Sequence, residues 1–260
     1  MSTRQLLISA WSWNPLLLAA ALAVLLVCWR LYHGKGRIRW LMAALALFFL
    51  AVASPIQALS RGYLFSAHML QHILLLLGVP GFVLMSLPRS ASLGIRPRLL
   101  GHPIIGWLAG VGAMWVWHWP ALCNAAGSSQ PVYVSQTISL LVMGALFWRQ
   151  VVAPREKERL SPPAAVLYLF SACAACSVLG IILTLSPVTV CSIYATPPVD
   201  RLGILSTIRS DWGMTPDKDQ QIGGLLMWVP MCLIYLGAIF GQIARWFGET
   251  TVRHPAPQQQ

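Results

Sequence analysis

Seven apolar stretches, most of them the length a lipid bilayer demands, set the limits on what this chain can become. They run over Pro15–Tyr32, Trp40–Leu59, Tyr63–Leu87, Ile104–Trp119, Val132–Val152, Ala164–Leu185 and Ile222–Trp246. A helix needs about 20 apolar residues to cross the hydrocarbon core, and the first, third, fifth, sixth and seventh stretches meet this with ease. The second contains Pro55 and turns polar at Gln57, while the fourth is short and bracketed by Pro103 and Pro120. Pro80 and Pro230 fall inside spans, where they predict kinks that neighbouring helices must compensate. The expected fold is all-α: a polytopic transmembrane helix bundle, one domain over residues 1–260, with an outer loop at 186–221.

Composition agrees and excludes other classes. Of the 260 residues 57% are hydrophobic and only 10% charged, with a mean hydropathy of +0.67. Soluble domains carry about 25% charged residues. A net charge of +11 would suit a nucleic-acid binder, but the basic residues punctuate apolar segments instead of forming a face or an arm. Their distribution sets the orientation. The loops after spans one, three and five and the C-terminal tail hold 13 of the 18 Lys and Arg residues, against 5 on the other side. The crowded side is expected in the cytoplasm, placing the N-terminus out and the C-terminus in, as in a multi-pass protein of a bacterial inner membrane. The first span lacks a small-residue cleavage site and carries a basic cluster at its far end, so it reads as a retained span, not a cleaved signal.

With this topology three stretches bring metal-competent side chains to the outer face. His68 and His72 open span three four residues apart, so they share one helix face. His118 closes span four in Trp117-His118-Trp119-Pro120, and Asp219 stands at the start of span seven in Asp219-Gln220-Gln221. The remaining histidines, His33, His102 and His254, fall on the cytoplasmic side. Ionisable groups in spans are costly and mark functional sites. The outer loop and its margin also carry Asp200, Asp211, Asp217 and Asp219, four of the seven acidic residues; such a rim would attract a cation, although basic selection inside explains it equally well.

Imidazole suits copper, zinc and iron, and sulfur ligands favour Cu(I). Met69 adjoins His68 but diverges from it by about 100° on a helix, so it need not join the same site. Met227 lies on roughly the face of Asp219, about 12 Å deeper, as an inner stop for a soft metal or as packing. Gly223 and Gly224 beside it permit close helix approach. Cys173-Ala174-Ala175-Cys176 spells CxxC, but its mid-span setting reads as small packing residues before it reads as a Cu(I) relay. Cys123 and Cys191 lie in outer segments where a disulfide is permitted, and Cys123 is alternatively a soft ligand. The tryptophans cluster near span ends, as an interfacial belt requires. Neither a phosphate-cradling loop nor a nucleophile motif is visible, and few charges lie deep in the spans. The expectation is a protein without catalytic activity.

The blocks His68-Met69-Leu70-Gln71-His72, Trp117-His118-Trp119-Pro120 and Asp219-Gln220-Gln221-Ile222-Gly223-Gly224, with Ser54-Pro55-Ile56 and Phe147-Trp148, resemble the CtaG-like cytochrome c oxidase assembly factors of bacterial membranes. Leu122-Cys123-Asn124 departs from the acidic or aromatic residue that often follows the WHxP block in that family. The resemblance implies a membrane-embedded factor for a haem-copper oxidase that binds or delivers copper at its outer face. His68, His72 and His118 would be ligands, with Asp219 completing the set or orienting an imidazole. Partners would be oxidase subunits and a periplasmic copper donor. Two other readings stay open: a b-type haem protein, because histidines on two helices can hold haem, and a metal-free scaffold whose polar cluster ties helices together.

Overall fold

A computed structural model of the chain describes residues 2–12, 15, 26, 37–91 and 101–253, with side chains through 248. The expected first span lies outside the described residues apart from Pro15 and Leu26, as do Cys28, His33 and His254. Among the described residues all regular structure is helical. The order is α1 (Thr3–Ser9), α2 (Ile38–Val52), α3 (Pro55–Ser60), α4 (Phe65–Ser86), α5 (Pro103–Trp117), α6 (Pro120–Ser128), α7 (Gln130–Val152), α8 (Pro162–Leu185), α9 (Ser192–Ala195) and α10 (Pro216–Arg253).

Four of these, α4, α7, α8 and α10, are long and apolar enough to cross a membrane. Helices α2 and α5 are apolar but only 15 residues each, about 22 Å along the axis. The second expected span therefore stops short of Leu59. Ser54 accepts a hydrogen bond from the Ile56 N–H at 3.2 Å, and Pro55 starts a separate turn with no N–H to continue the ladder. The seventh starts earlier than expected, at Pro216, which shortens the outer loop to end at Thr215. That loop also holds α9 and a wide helical turn at Thr207–Asp211.

Helix α4 is the axis of the bundle, packed on α2, α3, α7 and α10. The Pro80 kink takes a specific form. Residues Leu74–Gly78 make a π-helical turn in which the Val79 N–H reaches the Leu74 carbonyl, just before the proline. Pro80 lacks an N–H for the Leu76 carbonyl. Gly144 of α7 fills the gap: a Cβ there would collide with the Leu76 carbonyl oxygen and come within 2.9 Å of the Pro80 ring. On α10, Asp219, Gly223 and Met227 recur every four residues and so share a face. Gly223 lies against Phe65 and Met69 of α4, whereas Gly224 lies against Gly180 and Thr184 of α8. The close approach expected of the two glycines is present, each toward a different helix. Met227 is fully buried in the main core.

Candidate metal centre

His68, His72, His118 and Asp219 all fall at one end of the bundle, and all are buried. The first two stand one turn apart on α4 with ring centroids 4.4 Å apart. His118 caps the C-terminus of α5 and brings its ring to 5.2 Å from that of His72. Phe65 and Tyr194 close the cluster, at 6.4 Å from the His118 ring and 5.7 Å from the His68 ring. Tyr194 is held there by its hydroxyl, which donates to the Ser60 carbonyl at 2.9 Å.

The polar atoms of this cluster are poorly satisfied. Among the described residues, no hydrogen-bond partner stands within reach of His68 Nδ1 or of either ring nitrogen of His72. The Gln136 amide stands 3.5 Å from His68 Nε2, at the outer limit for a bond. Each buried, unmatched polar atom costs about 1–3 kcal/mol, so three of them are a substantial debit. Folded proteins keep such atoms where they serve a function or meet a ligand.

His118 carries a sharper anomaly. Its Nδ1–H donates to the Met114 carbonyl at 2.5 Å. A neutral ring then has only a lone pair at Nε2, and Nε2 faces the Met69 sulfur at 2.9 Å. A thioether sulfur also offers only lone pairs. Two acceptors in contact repel unless a proton or another cation lies between them. An imidazolium here would be a charge buried against sulfur, a costly arrangement. A soft metal ion would satisfy both atoms once they part to admit it, since metal–nitrogen and metal–sulfur bonds of about 2.0 and 2.3 Å together exceed the present 2.9 Å. Met69 thus reaches the cluster despite its divergence from His68, because its flexible side chain meets His118 on the neighbouring helix. The rings as they stand do not converge on one point: among the described residues no group of three or more His, Cys, Asp or Glu side chains is set as a ready metal site.

Asp219 has a different place from the one expected. Its two oxygens accept the Phe65 N–H at 2.6 Å, the Ser66 N–H at 3.0 Å and the Ser66 hydroxyl at 2.6 Å. It caps the N-terminus of α4, where no residue of α4 itself provides a side-chain cap. Its carboxylate is spent on orienting the helix that carries His68 and His72. The acidic rim divides likewise. Asp200 accepts from the Tyr63 hydroxyl and from the Ile204 and Leu205 N–H groups at 2.9–3.1 Å. Burial alone would raise its pKa, but the hydrogen bonds led by the Leu205 N–H outweigh this and hold it below the usual carboxylate value. Asp200 is nonetheless solvent-exposed, as are Asp211 and Asp217, so of the four only Asp219 is buried.

Cys123 is excluded as a thiolate ligand, because it forms a disulfide with Cys191. The bridge ties α6 to the segment that leads to Tyr194. Met227 lies in the main apolar core, in the same cluster as Met69 and Met231. Deeper in the bundle Cys173 of the CxxC lies 3.1 Å, sulfur to sulfur, from Cys232 of α10, and Ser177 is also 3.1 Å from Cys232. This pairing across helices α8 and α10 had no sequence signal. Gln136, Tyr194 and the Met114 carbonyl were likewise missed, since none belongs to a spaced motif.

Fold and site together define a helical protein of membrane character with a buried, under-bonded imidazole–thioether cluster at one end. Residues 21–249 match the family model for the cytochrome c oxidase caa3 assembly factor (Caa3_CtaG), and the chain belongs to that family. Neither a curated protein nor a solved structure matches the chain.

Proposed function

We propose that this member of the oxidase assembly family carries copper, as cargo, on His68, His72, His118 and Met69 at the outer face of a bacterial inner membrane, and passes it to a cytochrome c oxidase subunit. The facing lone pairs of His118 Nε2 and Met69 Sδ, 2.9 Å apart, carry this reading. With the ring proton on Nδ1, these two soft-to-borderline donors suit Cu(I). The unpartnered nitrogens of His68 and His72 supply the further ligands once the rings turn about χ2. Asp219 acts through the helix it caps, as a positioning residue, and a periplasmic donor supplies the ion. No catalytic step is assigned to the chain. The haem alternative gains nothing from the packing, because rings 4.4 and 5.2 Å apart leave no slot for a flat macrocycle between them.

Full-length protein in detergent should bind Cu(I) in a competition titration, without a Soret band. His68→Ala, His72→Ala, His118→Ala and Met69→Leu should each weaken binding at least tenfold, and pairs should do little further harm because the ligands act as a unit. Oxidase maturation should fail in the histidine variants while the protein still accumulates. Stoichiometric copper and mature oxidase in the single histidine variants would sink the proposal.

A further inference from the structure

The end of the bundle opposite the histidines holds a second constellation. A cavity of about 810 Å³ opens there, within the size range of ligand pockets. Arg37 precedes α2, Arg89 follows α4, Arg159 precedes α8, and Arg245 lies near the end of α10; all four line it. Among the described residues the lining includes no carboxylate. Glu158, nearby in the Arg159 segment, is engaged 3.3 Å from Arg149. The remaining wall is apolar and includes Leu84, Leu87, Trp148 and Val151.

Four cations from four separate segments gather here in a half-enclosed, largely apolar space. Arg159 registers the crowding. Burial, then the charge of Arg245, and further those of Arg89 and Arg37, push its pKa below the ordinary value, with Glu156 pulling the other way. Backbone carbonyls nevertheless hold two of the guanidinium groups in fixed directions: Arg159 Nε donates to the Ala153 carbonyl, and an Arg245 terminal nitrogen to the Leu160 carbonyl, both at 2.6 Å. Guanidinium groups gathered and directed in this way suit an anion. Guanidinium forks match phosphate oxygens in pairs. Basic pockets between spanning helices at the cytoplasmic side are also where anionic headgroups dock.

We propose that this cavity binds a phosphate-bearing anion, seated on Arg37, Arg89, Arg159 and Arg245. The ligand chemistry is a phosphate monoanion or dianion, supplied either by the headgroup of an anionic glycerophospholipid, whose chains would lie along the apolar wall, or by free phosphate. The site is independent of the histidine cluster, and its test does not use copper.

The test uses the full-length chain in two arms. In the first, protein is reconstituted with phosphatidylcholine containing phosphatidylglycerol, extracted in mild detergent, and examined for retained phosphatidylglycerol by native mass spectrometry. In the second, delipidated protein is titrated with radiolabelled inorganic phosphate. Wild type should bind in at least one arm, and the arm that binds names the source. Arg159→Gln and Arg245→Gln should each weaken that binding about tenfold, the loss expected of one charge-assisted contact. Lys157→Gln, an exposed charge in the same loop that does not line the cavity, should leave it unchanged. Should the glutamine variants fail to accumulate, Arg159→Lys keeps charge and stem but loses the fork, and should still weaken binding several-fold. No binding in either arm overturns the proposal, as does equal binding by wild type and the Arg159 variants.

Discussion

Replacing Asp219 tests how the histidine helix is held. Asp219→Ala removes three hydrogen bonds to Phe65 and Ser66. Contacts to a charged acceptor are each worth about 1.5–3 kcal/mol. The full sum does not apply. The Ser66 donors are only partly buried and regain water, and removing a buried carboxylate relieves its desolvation. The buried Phe65 N–H stays unmatched at about 1–3 kcal/mol. A net loss of roughly 2–4 kcal/mol follows, at or above the upper end of what an ordinary helix cap contributes. Asp219→Asn keeps one accepting oxygen but turns an amide toward donors, and should cost about half as much. His68 stands three residues beyond Phe65, so fraying of this turn should weaken copper binding in step with the loss of stability. Denaturant unfolding in micelles and Cu(I) competition, run on the same preparations, give both quantities. An alanine variant with an unchanged unfolding midpoint but no copper would refute this reasoning and make the carboxylate a direct ligand.

Further outcomes follow from the packing and the topology. Gly144→Ala drives a methyl group into the Leu76 carbonyl, a backbone atom that cannot swing aside, so a loss of about 3 kcal/mol or more is expected in the same unfolding assay. Cys123→Ser with Cys191→Ser opens a bridge spanning 68 residues and should cost about 2–4 kcal/mol, with loosening at Tyr194 read by faster amide exchange around α9. Reporter fusions at Gly34, Ser92 and Lys157 should report cytoplasm and those at Ser128 and Asp211 the outside; an outside signal at Lys157 would reverse the assignment of the arginine cavity to the inner face.

The parts of the site legible from sequence are those set by local geometry. His68 and His72 share a face because they are four residues apart, and His118 and Asp219 could be assigned to the same end because each sits at a span terminus. Spacing carries no information about what Asp219 touches, since its partners lie 153 and 154 residues away. A carboxylate at the head of a helix suits a dipole role in α10, whereas the bonds it makes serve α4. Helical phase alone ranks Met69 below the histidines as a candidate ligand, because it ignores the reach of a flexible side chain toward α5. Cys232 is a single residue without a motif, so its meeting with Cys173 depends on how α8 and α10 cross. The proline at position 80 announced a disturbance, but the π turn before it and the glycine opposite it depend on a neighbour that sequence cannot supply.

The cap on α4 has a consequence in time. Phe65 and Ser66 leave the ribosome long before Asp219 does, separated by 154 residues of chain in the first case. At about 5–20 residues per second, roughly 8–30 s pass while the head of the histidine helix waits for the residue that will hold it. Over that interval α4 to α8 can enter the bilayer, yet the first turn beneath His68 stays unanchored. Completion of the last helix and completion of the histidine cluster are therefore one event, and a chain cut short before α10 would carry every histidine of the cluster without the means to hold them in register.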